Sequence, residues 1–485
     1  MQKTKGYIFI CLTVVLWSLG FSAVATAQAT GADSILLLSP DVFMNRVLRW
    51  HPTALQAQLL AKQAQAAEQM ARGFFDPKLY SQYDQKSFDG KNYYNLSESG
   101  IKLPTGMGLE FKGAYLTAGG INLNPEEKLP DAGQAVLGFS ASLARGLVID
   151  ERRAALRQAR LTARLNDAER RRLLNDLAFE AVNTYWSWAA AYTETAILQQ
   201  AMQLAENRYQ AIVESFKQGD KPAVDTLEAF ILVQSRRFEW QEARLNYRNA
   251  ALQLSNYFWD ENGAISAVLD SYRPLKPEEF APQASLAALS DLQSRLPQHP
   301  ELQAYQIKTA QLEIDRKLAA EQLKPQLDLS YNALGDGARF GGNGDPNGGD
   351  LQQLLFQNFK WGARFSMPLL LRKERGKLEL VKLKMIETDL AIQQKRQNLQ
   401  TKLEQYYNEV RNLEQQLSLY SEMTNNYQLL LNAENRKLEL GESSIFLINT
   451  REQKLIEARL KLAKIQNTLP KYRAAIQWAA GLLVP

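Results

Sequence analysis

Two stretches without glycine or proline, 147–218 and 223–262, are separated only by the four residues Gly219 to Pro222, and they constrain this chain more than anything else in it. An unbroken run of this kind reads as helix. At 1.5 Å per residue the first would be a rod of about 100 Å. A rod that long is stable only with partners along its whole length. Leu174, Leu177, Ala181, Tyr185, Trp188 and Tyr192 provide an apolar seam at 3-4-4-3-4 spacing, which is coiled-coil spacing. The same object recurs: 377–440 is again free of glycine and proline, the chain turns at Gly441, and 442–469 returns.

The N-terminus reads as a leader. Lys3 and Lys5 precede an apolar run over 7–19, followed by the small-residue sites Ala25-Thr26-Ala27 and Ala27-Gln28-Ala29. This predicts a secretory signal peptide over 1–29, its apolar core too short to span a membrane. The single cysteine, Cys11, lies inside that core, so the exported chain has no disulfide, thiolate nucleophile or cysteine metal site. No later apolar run is long enough for a spanning helix, so the exported chain is soluble or enters a membrane as strands. Without Lys3 and Lys5 the formal charge falls from +5 to +3. Basic residues do cluster, at Arg152, Arg153, Arg157, Arg160, Arg164 and Arg170 to Arg172, but without interleaved aromatic residues for base stacking. Nucleic acid is therefore not an expected partner; the cluster reads as solvated helix surface, with lipid headgroups as the alternative.

Taken in order, 33–50 reads as a short helix capped near Ser39-Pro40-Asp41, His51-Pro52 as a break, and 53–72 as an amphipathic helix ended by Gly73. Alternating, strand-like sequence follows at 77–84, 93–103, 109–116 and 136–143, with a tight turn at Pro104-Thr105-Gly106. The second half repeats this order. His299-Pro300, Pro325 and Tyr331 match His51-Pro52, Pro77 and Tyr83 at an offset of 248. Gly441, Arg375, Leu378 and Tyr407 match Gly219, Arg153, Leu156 and Tyr185 at 222. The hairpins thus keep register, and the repeats differ by 26 residues in the strand region. The expected division is a first repeat over 30–262, with strands within 77–145 and a hairpin over 147–262. A linker with a short helix over 286–296 occupies 263–298, and a second repeat over 299–485 has strands within 325–368 and a hairpin over 372–480. Pro470 should kink or end the last helix. The glycine- and asparagine-rich stretch 341–349 reads as an exposed loop, since its aspartate spacing does not suit a calcium-binding turn.

Materials for catalysis are poor. The only histidines, His51 and His299, precede proline at equivalent helix boundaries. There is no phosphate loop, dinucleotide fingerprint or paired-histidine zinc helix, and the helical carboxylates alternate with lysine and arginine as on solvated coiled-coil faces. No catalytic, cofactor or metal site is expected. The cluster Tyr185, Trp186, Trp188 and Tyr192 reads as helix packing.

A few strands and two long hairpins cannot close a barrel in one copy, and an open sheet edge cannot stand in lipid. A symmetric oligomer removes both difficulties. The duplicated order resembles the TolC family of outer-membrane efflux proteins over essentially the whole exported chain. The resemblance is carried by the His-Pro breaks (the family more often shows Asn-Pro), Pro77 and Pro325, and the turns 216–229 and 436–446. It implies a mainly helical fold with transmembrane β: a homotrimer whose twelve strands form one barrel in the outer membrane of a Gram-negative bacterium, above a helical periplasmic tunnel. It implies a passive conduit of a tripartite efflux or type I secretion system, with a periplasmic adaptor, an inner-membrane RND or ABC transporter and outer-membrane lipid as partners. The adaptor would contact the tips at Gly219, Asp220, Lys221, Pro222, Gly441, Glu442, Ser443 and Ser444. Asp225 matches a position that carries acidic aperture residues in the family, with Glu228 one turn on; the second-repeat equivalent is Leu447. The additional strand-like runs of the first repeat either enlarge the barrel or extend beyond it. The alternative is a soluble periplasmic coiled-coil scaffold without a pore.

Overall fold

The computed structural model describes residues 36–268, 271–276, 287–336 and 358–484. The expected leader (1–29), the loop 341–349 and the start of the linker helix at 286 lie outside the described residues. The chain opens with β1 (Leu36–Leu38), α1 (Pro40–Trp50) and α2 (Pro52–Arg72). Four strands follow: β2 (Lys78–Phe88), β3 (Lys91–Pro104), β4 (Leu109–Gly119) and β5 (Gln134–Ser142). The first hairpin is α3 (Glu151–Lys217) and α4 (Ala223–Ser255). After β6 (Tyr272–Pro274) come α5 (Leu289–Arg295), α6 (Pro300–Glu321), β7 (Gln326–Asp336) and β8 (Phe359–Ser366). The second hairpin is α7 (Arg372–Glu439) and α8 (Ile445–Ala479).

The 67-residue α3 is stabilised by a relay of partners. Near the sheet it packs on α2 and α6, and towards the turn on α4, with α8 also alongside. The seam foreseen in the sequence is the first core: Leu177, Ala181, Tyr185 and Trp188 are buried with Phe43 and Val47 of α1, Leu254 of α4 and Phe258 just beyond its end. The Tyr185 hydroxyl donates to the Leu38 carbonyl at 2.7 Å, which satisfies the one polar atom of a buried ring. In the second half Leu399, Leu403, Val410 and Leu413 of α7 build the equivalent core with Leu292, Leu302, Ile465 and Ile476.

One expectation is corrected, and of the two outcomes expected at Pro470 one is removed. Residues 36–38 are not helical: β1 pairs in parallel with β6, Leu36 opposite Tyr272, and α1 begins after Ser39, whose hydroxyl accepts from the Val42 N–H. Pro40 at the first helical position fixes that boundary. Pro470 does not end α8, which continues to Ala479. The buried Ile465, Leu469, Ala474, Ala475 and Ile476 on either side outweigh the roughly 3 kcal/mol that an internal proline costs.

All six long strands join one antiparallel sheet in the order β2-β3-β4-β5-β7-β8, where the resemblance implies four per copy. The surplus is β3 and β4, inserted between β2 (equivalent to β7 at the offset of 248) and β5 (equivalent to β8 at 222). They continue the sheet in register: β3 pairs β4 from Asn95↔Gly119 to Pro104↔Glu110, and β4 pairs β5 from Leu109↔Ala141 to Leu116↔Gln134.

Candidate functional site

Side chains alternate across a strand, so the pairing register decides which residues share a face of the sheet. Below the irregularity at Lys86/Ser87, every charged strand residue falls on one face. These are Lys78, Asp84, Lys86, Glu98, Lys102, Glu110, Lys112, Asp328, Lys360 and Arg364, with Asp336 at the same register. The other face has no charge and carries Leu79, Tyr83, Ile101, Leu103, Phe111, Tyr115, Leu137, Phe139, Tyr331, Phe359, Trp361 and Phe365. Leu79 is 85% exposed, Trp361 66% and Phe365 67%. A contiguous exposed apolar face of this extent marks contact with lipid or protein; a soluble scaffold would hold it in water. Tyr331 stacks on Phe359 and lies tilted against Phe139, with ring centroids 5.8 and 6.0 Å away.

The charged face is cross-braced. Glu98 of β3 accepts from the Tyr80 hydroxyl of β2 and pairs with Lys112 of β4 at 2.6 Å. Where this face meets the helices, Arg145, Asp150, Arg152, Glu321, Asp328 and Arg364 line a polar cleft of about 760 Å³. Within the basic cluster of the upper α3, Arg152 pairs with Glu110 at 3.2 Å, Arg170 with Asp167 at 3.1 Å, and Arg172 with Asp176 at 2.9 Å. Among the described residues no helix is long and apolar enough to cross a membrane.

At the far end both hairpins turn by the same device. Gly219 (φ 86°) and Gly441 (φ 79°) sit in the left-handed region that glycine adopts without a side-chain penalty. The Gly219 N–H donates to the Phe216 carbonyl and that of Asp220 to Ser215; Gly441 donates to Leu438 and Glu442 to Lys437. This is the Schellman arrangement, which satisfies the last carbonyls of each outward helix. The return helices start differently: the Ser444 hydroxyl accepts from the Leu447 N–H, whereas Pro222 gives α4 no side-chain cap.

Among the residues foreseen at the tips, the structure brings together Lys221, Asp225, Glu228, Ser443 and Ser444, which with Phe446 and Asn449 line a groove of about 220 Å³ between the hairpins. Gly219, Asp220, Pro222, Gly441 and Glu442 are exposed and do not line that groove. Around them Phe216, Val224, Leu227, Ile231, Leu440 and Phe446 are also exposed. Sequence reasoning missed the polar bolts just inside the tips. Buried Arg236 of α4 is held by Glu239 at 2.8 Å and by Gln453 of α8, and Arg208 of α3 pairs with buried Glu452 of α8. Buried Glu434 of α7 accepts from Ser443. A buried charge must be paired, so these contacts fix how the hairpins sit together; in the sequence they look like any solvated helix charge.

The two histidines cap helices. His51 Nδ1 accepts from the Thr53 N–H and His299 Nδ1 from the Glu301 N–H, both at 3.2 Å. An asparagine would offer its side-chain oxygen to the same N–H, so His-Pro and Asn-Pro can cap such a helix in the same way. Burial pushes both rings below the ordinary histidine pKa. Among the described residues no group of three or more His, Cys, Asp or Glu side chains converges to hold a metal.

Residues 292–482 match the family described as outer membrane efflux protein. No curated protein matches the chain. Among solved structures, the CmeC outer membrane channel of Campylobacter jejuni aligns over 92% of this chain and 86% of its own at 15% identity and a TM-score of 0.64. The open state of the MtrE outer membrane channel of Neisseria gonorrhoeae aligns over 92% and 89% at 14% identity and 0.64. The outer membrane protein VceC of Vibrio cholerae aligns over 91% and 96% at 14% identity and 0.62. Residues 292–482 are thus matched to that family by sequence, and over 91–92% of its length the chain has the fold of these outer membrane channels.

Proposed function

We propose that three copies form a passive conduit from a periplasmic adaptor to the exterior, and that an inner-membrane transporter supplies the energy. The observation that carries this reading is the two-faced sheet: uncharged and aromatic on one side, charged on the other, continuous with helices about 100 Å long. The first face meets lipid and the second lines water. Neither tip has an enzyme-like constellation, and both present exposed apolar side chains beside charges, a surface suited to docking a helical partner. On this reading the adaptor grips Gly219, Asp220, Lys221, Pro222, Gly441, Glu442, Ser443 and Ser444. The groove carboxylates Asp225 and Glu228 then sit at the aperture, where they favour cations.

The decisive measurement is single-channel conductance of the detergent-purified protein in a planar bilayer, with the subunit count taken from its mass. Discrete steps from a trimer are expected. A non-conducting monomer that is soluble without detergent would remove the conduit. Adaptor docking has its own test: Gly219 and Gly441 apex substitutions should abolish adaptor capture and efflux, and full efflux from trimers of normal abundance would refute it.

A further inference from the structure

Among the described residues, the sheet of one copy ends in two open edges, β2 and β8. Unpaired edges cannot remain in a hydrocarbon layer, because each free N–H and C=O costs several kcal/mol there. Chain duplication prescribes what should cover them. β8 is the equivalent of β5 and β2 the equivalent of β7, and β5 and β7 already pair inside the chain. An edge-to-edge joint between copies is therefore a second instance of a joint the sequence has already built.

We propose that β8 of one copy pairs with β2 of the next in the β5–β7 register, closing three six-stranded sheets into an eighteen-stranded barrel. This deepens the trimeric reading above and rests on it. Transferring Gly138↔Asn332 and Phe139↔Tyr331 through the two offsets places Lys360 opposite Asp84, and Trp361 opposite Tyr83. The bond from the Leu143 N–H to the Leu327 carbonyl transfers to Phe365 and Leu79. The chemistry of the transferred pairs agrees with the register. On the charged face a lysine meets an aspartate. On the lipid face Trp361 with Tyr83 repeats the observed Phe139–Tyr331 contact, and Phe365 covers Leu79, which is 85% exposed in the single copy. A shift of one residue would turn every one of these side chains to the wrong face.

Barrel geometry gives an independent check. A row of paired residues runs Lys360, Asn332, Gly138, Lys112, Lys102, Lys78 across one copy. The joint places Lys360 opposite Asp84, six residues along β2 from Lys78. Three copies then accumulate a shear of about eighteen residues on eighteen strands; with roughly 3.3 Å per residue and 4.8 Å between strands, the tilt is about 35°, at the edge of the range of real barrels. An arbitrary register would not have to meet that condition. Since diameter grows roughly linearly with strand number, this barrel is about half as wide again as a twelve-stranded one, and the inserted β3–β4 hairpin is what widens it.

The protein offers a clean test, because its single cysteine, Cys11, falls within the expected leader and the exported chain carries none. Lys360 and Asp84 take the place of a pair without mutual backbone hydrogen bonds, since the bonds of Leu143 and Arg145 to β7 put Gly138 and Asn332 in the alternate rows. Such pairs have Cα atoms about 4.5 Å apart, close enough for a disulfide. The protein carrying both Lys360→Cys and Asp84→Cys should run, oxidised and heat-denatured, as covalent oligomers up to the closed trimer, with each single variant monomeric. Moving the second cysteine to Gln82 or Lys86 should reduce the yield at least about tenfold. Independently, Lys360→Asp should lower the temperature of trimer dissociation, and adding Asp84→Lys should restore it. Conducting trimers that do not cross-link at 360 and 84, or cross-link equally at 82 or 86, would overturn the joint while leaving the channel intact. Failure to trimerise at all would overturn both.

Discussion

Between the sheet and the tips the two halves of this chain agree position for position, whereas in the sheet they do not. Arg153, Tyr185 and Gly219 have equivalents 222 residues on, while Pro77 and Tyr83 have theirs 248 on. The physical demands on the two regions differ. Both hairpins must reach the same plane at the tips, where the groove takes Asp225 and Glu228 from one and Ser443 and Ser444 from the other. One added residue in a helix would rotate its seam by about 100° and raise its tip by about 1.5 Å. A sheet is more tolerant, provided that strands are added in pairs: one extra strand would leave the chain on the wrong side of the membrane, and a hairpin returns it. β3 and β4 are such a hairpin, and the helices beyond them kept their lengths.

If the hairpins are held equal by packing, the largest effects should come from their matched core positions, scaled by what each buries. Trp188 and Val410 are equivalent at 222, and both are fully buried. Trp188→Ala should cost about 3–5 kcal/mol and Val410→Ala about 2 kcal/mol, read as a lower midpoint of thermal unfolding of the detergent-purified protein by circular dichroism. Equal losses at the two positions would mean that the shared register does not carry a shared packing role.

The helices, their turns and the duplication were legible because each rests on a local rule: absence of breakers, apolar spacing, glycine at a positive φ. The strands were legible as strands, since alternation is local too. Their common face was not. Leu79, Phe111 and Trp361 come to the same side only through five successive registers, and a register joins residues far apart in sequence. The same holds for Arg236 and Glu452, whose burial depends on a neighbouring hairpin. Residues 36–38 were assigned to α1 because their partner strand, β6, is more than 230 residues away.

The tips sharpen the comparison at a smaller scale. Gly219 and Gly441 share one turn geometry, and an added Cβ would meet nothing within 4 Å at either. The stability cost of Gly219→Ala and Gly441→Ala should therefore come from backbone strain and not from a clash, about 1–2 kcal/mol each and nearly equal. The following caps should break the equality: Ser444→Ala removes a cap worth about 1 kcal/mol, whereas Pro222→Ala removes none, since α4 has no side-chain cap. Proteolysis rates at the two turns in the detergent-purified protein would separate these cases. Equal protection after Ser444→Ala would show that the tips are held by the Arg236 and Glu434 contacts and not by their caps.

The smallest effect concerns the two histidine caps, and its sign is fixed by which nitrogen is used. His51 and His299 accept helix N–H groups through Nδ1, so the cap exists only while Nδ1 carries no proton. In both cases burial is the leading cause that holds the folded pKa below 6.5. The stabilisation is therefore fully present above about pH 6.5 and is lost as the pH falls through the lower, folded value. His299, only 4% exposed, should show the larger loss, while His51, half-buried against Tyr257 at 5.5 Å, should show less. Asparagine keeps the capping oxygen and does not titrate. His299→Asn should thus leave the melting temperature near its original value at pH 7.5 and flatten its fall towards pH 5, with His51→Asn doing the same more weakly. A fall of unchanged size in the doubly substituted protein would assign the acid sensitivity to paired carboxylates such as Glu169 and Glu321, whose folded pKa values are also depressed and whose contribution is likewise lost on acidification.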